Sequence, residues 1–214
     1  MVHHEMRGIP RSLFILSLLY GGMTCTAGIL GAKQIALGPL AVEAGILPFL
    51  LLVAIASTVA ELHGRTVADS LVRWGFLPML TAMALIWIVI RLPHDPGMYP
   101  PAIAAFPVIL GQGARMMLAG LIAYGASQTL NLLIFTRLSR TPGRALAVRG
   151  AIASAASQVV DTVIFITLSF YGERPIGQLI LGQMTAKIAL SILLMPILIH
   201  LLVAVGRRFD GDNK

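Results

Sequence analysis

Charged side chains are scarce in this chain of 214 residues: Asp, Glu, Lys and Arg together make up 12%. Soluble domains carry about 25%, so a soluble globule of this length would lack the polar surface it needs. Cysteine is nearly missing as well. Cys25 is the single one and sits in an apolar run, which excludes an intrachain disulfide framework and leaves no Cys/His metal spacing. Catalytic signatures are wanting in the same way. There is no GxxxxGK[ST] phosphate loop, and GQGAR at Gly111–Arg115 lacks the Lys-Ser/Thr and the preceding strand. No HExxH, CxxC or GxSxG occurs. The chain is therefore expected to be no enzyme and to hold no metal or cofactor. His3 and His4 at the start and FDGDNK at the end read as solvated termini, the latter lacking the remaining ligands and closing Glu of a calcium loop.

What the chain has is apolar. Its residues are 57% hydrophobic, with a mean hydropathy of +0.86, and the class that follows is an all-α polytopic membrane protein with the lipid bilayer as partner. Spans of about 20 residues cross about 30 Å of hydrocarbon. Six are read, at about 12–36, 44–63, 70–92, 108–138, 147–171 and 176–206, forming a single transmembrane domain over 1–214. Breaks fall at Gly38-Pro39, Gly64-Arg65, Thr141-Pro142-Gly143 and Gly172–Pro175, and the Pro-rich stretch 93–107 reads as an ordered external loop. Leu13–Tyr20 after Arg7 and Arg11 mimics a signal peptide. The rest of the chain is equally apolar, so a retained first helix is adopted.

Sixteen Lys and Arg against nine Asp and Glu give a formal charge of +7. In a membrane chain this excess reports loop placement, since cations gather on the cytoplasmic side, and no nucleic-acid partner is inferred. Arg7, Arg11, Arg65, Arg73, Arg137, Arg140, Arg144, Arg149, Arg207, Arg208 and Lys214 fall on one side. Lys33, Arg91, Arg115 and Arg174 fall on the other. Both termini are thus expected in the cytoplasm.

One polar phrase occurs twice. Ala126–Phe135 reads ASQTLNLLIF and Ala156–Phe165 reads ASQVVDTVIF. At about 100° per residue, Tyr124, Ser127, Gln128, Asn131 and Phe135 share one stripe about 100° wide. Ser154, Ser157, Gln158, Asp161 and Phe165 occupy the same angles on the next helix. Gln128 precedes Leu138, and Gln158 follows Val148, by equal spacings that put both near the bilayer midplane. Antiparallel helices could then set the two amides face to face, and inverted repeats around a midplane site recur in transporters.

Ser and Gln also act as packing glue between membrane helices, at about 0.6 kcal/mol per contact. Asp161 tips the reading to function, because a mid-membrane carboxylate costs at least about 2.5–3.5 kcal/mol. Lys187 lies at a similar depth on the last helix, with Gln183 one turn before it, so an Asp161–Lys187 ion pair is expected. Glu61 and His63 close the second helix, and with Arg115 they are candidates for gating or coupling. Arg115 and Arg149 could equally snorkel from helix ends. Trp74, Trp87 and the methionines read as packing or interface anchors.

Amides and hydroxyls read hydrogen-bond patterns rather than break bonds, which favours binding and translocation. Gln and Asn each offer a donor and an acceptor, the pattern that reads a nucleobase edge. A carboxylate accepts two parallel N–H groups, and Tyr124, Phe135 and Phe165 could stack on a planar ring. A small, flat heterocycle is the expected ligand.

These residues resemble a known family. AYGASQTLNLLIF, RGAIASAASQVVDTVIFITLSFYG and the helix with Lys187 and Pro196 resemble the bacterial queuosine-precursor transporters, also called the vitamin uptake transporter family. AELHG at Ala60–Gly64 is similar to the family's Glu-Val-Tyr-Gly, and Lys33 matches a Lys late in helix 1. The likeness runs from about Leu16 to Leu201 and is most specific at Arg149…Ser157-Gln158…Asp161…Phe165. It implies a six-helix, multi-pass importer of the bacterial inner membrane for 7-deazaguanine precursors such as 7-cyano-7-deazaguanine, destined for a modified tRNA nucleoside. It also implies Ser127, Gln128, Arg149, Gln158, Asp161 and Lys187 as site positions. The chain departs from the pattern where an Asp of helix 4 is Asn131, an Asp of helix 2 is Ser57, and the Tyr of Glu-Val-Tyr-Gly is His63. Such changes bear on ligand protonation, ion coupling and substrate choice.

The expected binding set is therefore Lys33, Tyr124, Ser127, Gln128, Asn131, Phe135, Arg149, Ser157, Gln158, Asp161, Phe165 and Lys187. The alternative is the substrate-binding subunit of a multi-subunit, ATP-driven vitamin importer, which also needs about six helices and no phosphate loop. A membrane-embedded enzyme is a third class, disfavoured by the missing motifs. A homo-oligomer is open in either transport reading.

Overall fold

A computed structural model of the protein describes residues 8–38, 40–111, 114–139, 145–172 and 175–211. Outside them lie His3, His4, Arg7, Pro39, the Gln112-Gly113 of GQGAR, Arg140, the Thr141-Pro142-Gly143 break, Arg144, Arg174 and Lys214. Helices dominate: α1 (Arg11–Leu30), α2 (Ile46–His63), α3 (Arg65–Trp74), α4 (Phe76–Val89), α5 (Pro100–Leu110), α6 (Ala114–Ser139), α7 (Leu146–Phe170) and α8 (Gly177–Phe209). Six stretches are long and apolar enough to span a membrane, with α3 and α4 counting together as Arg65–Val89. The six-span, all-helical expectation therefore holds in its main lines.

Three local departures matter. The first helix stops at Leu30 instead of 36, and the chain then forms an antiparallel hairpin of β1 (Gln34–Leu37) and β2 (Leu40–Glu43), pairing Gln34 with Glu43. Gly38 turns it at φ 59°, a left-handed conformation that suits a residue without Cβ. The Pro-rich stretch contains α5, with Pro at its first turn, where a missing N–H costs nothing. The third span begins five residues early, at Arg65, because Gly64 at φ 88° reverses the chain directly after His63. Within that span Gly75 separates α3 from α4. A Cβ there would lie 2.2 Å from the Tyr20 ring, so only glycine lets α1 approach.

Helix α2 is the axis of the bundle and buries most of its length, from Ile46 to Val59. Around it, α6 packs on α7 and α7 on α8, while α1 flanks α2 and α8. Each partner turns one stripe inward. On α1 it is Ser12, Leu16, Tyr20 and Thr24, at steps of four; on α8 it runs Gln183, Lys187, Ser191, Met195, Ile199 and Val203. The reverse faces are apolar and exposed, as at Leu77, Leu85, Trp87 and Leu193, the surface a lipid-facing helix requires. Trp74 and Trp87 lie on that outer surface.

The two described ends meet. The Ser12 amide donates to Asp210 Oδ1 at 3.0 Å, the Ser12 hydroxyl donates to Asp210 Oδ2, and Ser12 Oγ lies 2.7 Å from His63 Nε2. This knot ties the starts and ends of α1, α2 and α8 at one end of the bundle.

Candidate functional site

The polar stripe read on the two repeated segments is buried. Tyr124, Ser127, Gln128, Asn131 and Phe135 of α6 all face inward, as do Arg149, Ser154, Ser157, Gln158 and Asp161 of α7. Phe165 is half-buried. Helical spacing alone produces this, since residues three and four apart stack on one face.

Within the stripe the contacts divide into three levels. At the upper level, Lys187 Nζ lies 3.2 Å from Asp161 Oδ2, the pairing expected from their depths. The Ser127 hydroxyl is 3.3 Å from Asp161 Oδ1. Tyr124 donates its phenolic proton to Tyr20 and is held edge-on by Phe76, with ring centroids 5.1 Å apart. These groups border a cavity of about 170 Å³ lined by Tyr124, Asp161, Phe165, Lys187, Phe49 and Glu43. Four methionines, Met79, Met83, Met116 and Met117, complete its apolar wall, a soft surface that adapts to an occupant. The lining comes from the end of α1, the start of α2, much of α4, the end of α5 and the start of α6, with Asp161 and Phe165 of α7 and Lys187 of α8, so the cavity occupies the half of the bundle away from Ser12 and Asp210.

The middle level is polar and largely self-unsatisfied. Gln128 and Gln158 are fully buried, and neither amide has a hydrogen-bond partner among the described residues. The Asn131 amide donates to Ser57 Oγ at 3.4 Å while its own oxygen stays unpaired. The two positions at which the chain departs from the Asp of the family pattern thus touch one another. Ser157 donates back to the Ser154 carbonyl at 2.8 Å. A buried polar atom without a partner costs about 1–3 kcal/mol, so this level is expensive to keep dry and closed.

The lower level is an ion pair. Arg149 Nη2 lies 2.8 Å from Glu61 Oε2, and the Arg149 guanidinium sits 5.1 Å from the centroid of the Phe135 ring. Phe135 therefore faces an arginine and does not line the cavity. One turn further, His63 joins the Ser12–Asp210 knot. Burial works to raise the Asp210 carboxyl, but hydrogen bonds from the Ser12 side chain and amide and the nearby His63 outweigh it and hold the group below its ordinary 3.8. The arrangement is no catalytic triad, because Asp210 approaches the same His63 nitrogen, at 3.9 Å, that faces Ser12.

Two expected residues stand elsewhere. Lys33 is exposed beside the hairpin, where its carbonyl accepts from the Ala44 amide at 2.8 Å, and it does not border the cavity. Arg115, at the far end of α6, donates to the Leu168 and Tyr171 carbonyls at 2.6 and 2.7 Å, closing the open carbonyls at the end of α7. Glu43 is the site residue that sequence reasoning missed. It ends β2, lines the cavity, and lies within electrostatic reach of Lys187 and Asp161, with Gln183 nearby on α8. The only sequence signal was an acid placed directly before an apolar helix. Among the described residues, no group of three or more His, Cys, Asp or Glu is placed to hold a metal ion.

No curated protein and no solved structure matches the chain. A family model does, under the description "Putative vitamin uptake transporter", over residues 43–201. The match runs from Glu43, the last residue of β2, into α8 and takes in Asp161, Lys187, Gln128, Gln158, Glu61 and Arg149, and by it the chain belongs to the vitamin uptake transporter family.

Proposed function

We propose that this protein imports a flat, hydrogen-bonding heterocycle of the 7-deazaguanine type, such as 7-cyano-7-deazaguanine, across a bacterial inner membrane. The observation that carries the reading is the cavity itself, where the Asp161–Lys187 pair meets Tyr124 and Phe165. Asp161 accepts paired N–H groups of a base edge, and the two rings flank its faces. Below it, Gln128, Asn131 and Gln158 offer unmade hydrogen bonds along the way to Glu61–Arg149. We read that column as the route the base follows once the lower ion pair parts.

The direction of travel rests on charge. The basic residues gather at the end where Ser12 and Asp210 meet, which supports cytoplasmic termini. On that reading the cavity faces outward, and Glu61–Arg149 with the Ser12–His63–Asp210 knot closes the inner side. Alternating closure around a fixed midplane site is a common transporter scheme.

A binding screen of purified protein against deazapurines, purines and vitamins tests the ligand class. Deazapurines should bind, with Asp161→Asn weakening them at least about tenfold, or about 1.4 kcal/mol. Preference for a non-planar vitamin would overturn the proposal. The ATP-driven alternative draws on the bare outer faces of α4 and α5, which bury no residue. A stoichiometric ATPase copurifying from native membrane would favour it.

A further inference from the structure

The cavity wall is unbalanced in charge. Asp161 on α7 is paired with Lys187 on α8 at 3.2 Å, which occupies the single ammonium among the lining residues. Glu43, at the end of β2, lines the same cavity and shares that Lys187 without a cation of its own. The other ionisable groups nearby bring no positive charge: Cys25 on α1 lines the cavity, and Tyr124 on α6 bonds Tyr20 on α1. The linings from α2, α4 and α5 are apolar, and Lys33 is exposed beyond the hairpin. With all three groups ionised, the wall would carry one uncompensated negative charge in an apolar surround.

Gln183 supplies a second, independent observation. It is 2% exposed on α8, against which β2 packs, and lies near the Glu43 carboxylate, yet its carbonyl oxygen Oε1 finds no hydrogen-bond partner among the described residues. A hydroxyl donor would satisfy that oxygen. A neutral carboxyl group beside a carboxamide makes two complementary bonds, O–H to the amide oxygen and N–H to the acid oxygen.

We infer that Glu43 is a proton site: in the empty cavity it carries a proton taken from water on the side to which the cavity opens, shares it in a hydrogen bond with Gln183 Oε1, keeps it while the cavity loads, and releases it to water on the opposite side once the loaded cavity has turned over. The proton removes the surplus negative charge and satisfies the buried amide together. Transport through the cavity then moves one proton with each substrate. This second consequence rests on the import reading above, whereas the protonation of Glu43 does not.

Infrared spectroscopy of the purified protein at neutral pH tests the site without any substrate. A carbonyl band of a protonated carboxyl is expected in the wild type and lost in Glu43→Gln; it should be lost as well in Asp161→Asn, which frees the Lys187 ammonium to balance an ionised Glu43. Gln183→Leu should keep the band but shift it upward, because the acid loses its hydrogen-bond partner. A spectrum unchanged by Glu43→Gln overturns the inference; so does a band that Gln183→Leu leaves unshifted, since among the described residues Asp161 has no hydrogen bond to Gln183 to lose. In proteoliposomes given labelled 7-cyano-7-deazaguanine, a one-to-one coupling makes the accumulation ratio rise about tenfold per unit of imposed pH gradient, one pH unit being about 1.4 kcal/mol. Glu43→Gln should equilibrate the base without responding to the gradient. Absence of any uptake with the infrared band intact would count against the substrate, not against the proton site.

Discussion

Asp161 and Lys187 are the residues on which the interior most depends. Both are at most 8% exposed, and removing one partner of a buried pair typically costs about 3–5 kcal/mol, because the other charge is stranded. Lys187→Ala should therefore destabilise the protein by about that amount in detergent unfolding. Asp161→Asn with Lys187→Met should recover most of the loss, since neither then leaves a naked charge. An unchanged midpoint in Lys187→Ala would mean that the 3.2 Å contact contributes nothing. Gln128 and Gln158 have the opposite profile. Among the described residues their amides find no partner, so replacing either with Leu should leave stability equal or higher while ligand affinity falls.

At the scale of the elements, helix contact is set by small residues on α3–α4 and α7. Gly150 on α7 is fully inside the bundle, and a Cβ there would stand 2.2 Å from Ile199 Cδ1 on α8. Gly150→Ala should cost about 1–3 kcal/mol, as overpacked cores do, and Ile199→Ala in the same chain should relieve the clash. The terminal knot adds a pH dependence. Asp210 is held below its ordinary value, so its contribution is complete above 3.8 and is lost as pH falls through the lower folded value. Thermal unfolding of wild type and Asp210→Asn should converge on acidification and differ at neutral pH. A gap that persists unchanged into acid would detach the knot from the Asp210 charge.

Element boundaries also mark what the chain discloses locally. The repeated ASQ segments and the Asp161–Lys187 pairing were legible, because helical angle and depth are properties of one helix at a time. The hairpin was not. Gly38-Pro39 was recognised as a break, but QIAL and LAVE are too short and apolar to distinguish a strand pair from the tail of a span. Glu43 was hidden for the same reason: its importance comes from β2 packing against α8, a contact between segments far apart in the chain. The three levels within the polar stripe were likewise invisible, since Phe135 shares the angle of Tyr124 but meets Arg149 and not the cavity.

For the whole molecule, a polar column runs from the cavity to the knot between the two described ends. Its upper end opens into the cavity, and the Glu61–Arg149 ion pair spans its lower end. Conformational cycling must exchange these two conditions, and Glu61→Gln should favour the state open at the lower end. Cysteine accessibility measured at a reporter near Phe135 should then rise. The central claim is that the cavity and the amides beneath it form one site for a deazapurine. Its most direct test is uptake of labelled 7-cyano-7-deazaguanine by cells that cannot make it, comparing wild type with Asp161→Asn plus Gln158→Ala at matched membrane abundance. Robust uptake by the wild type and near-background uptake by the double variant is the predicted result; equal uptake by the two would contradict the account.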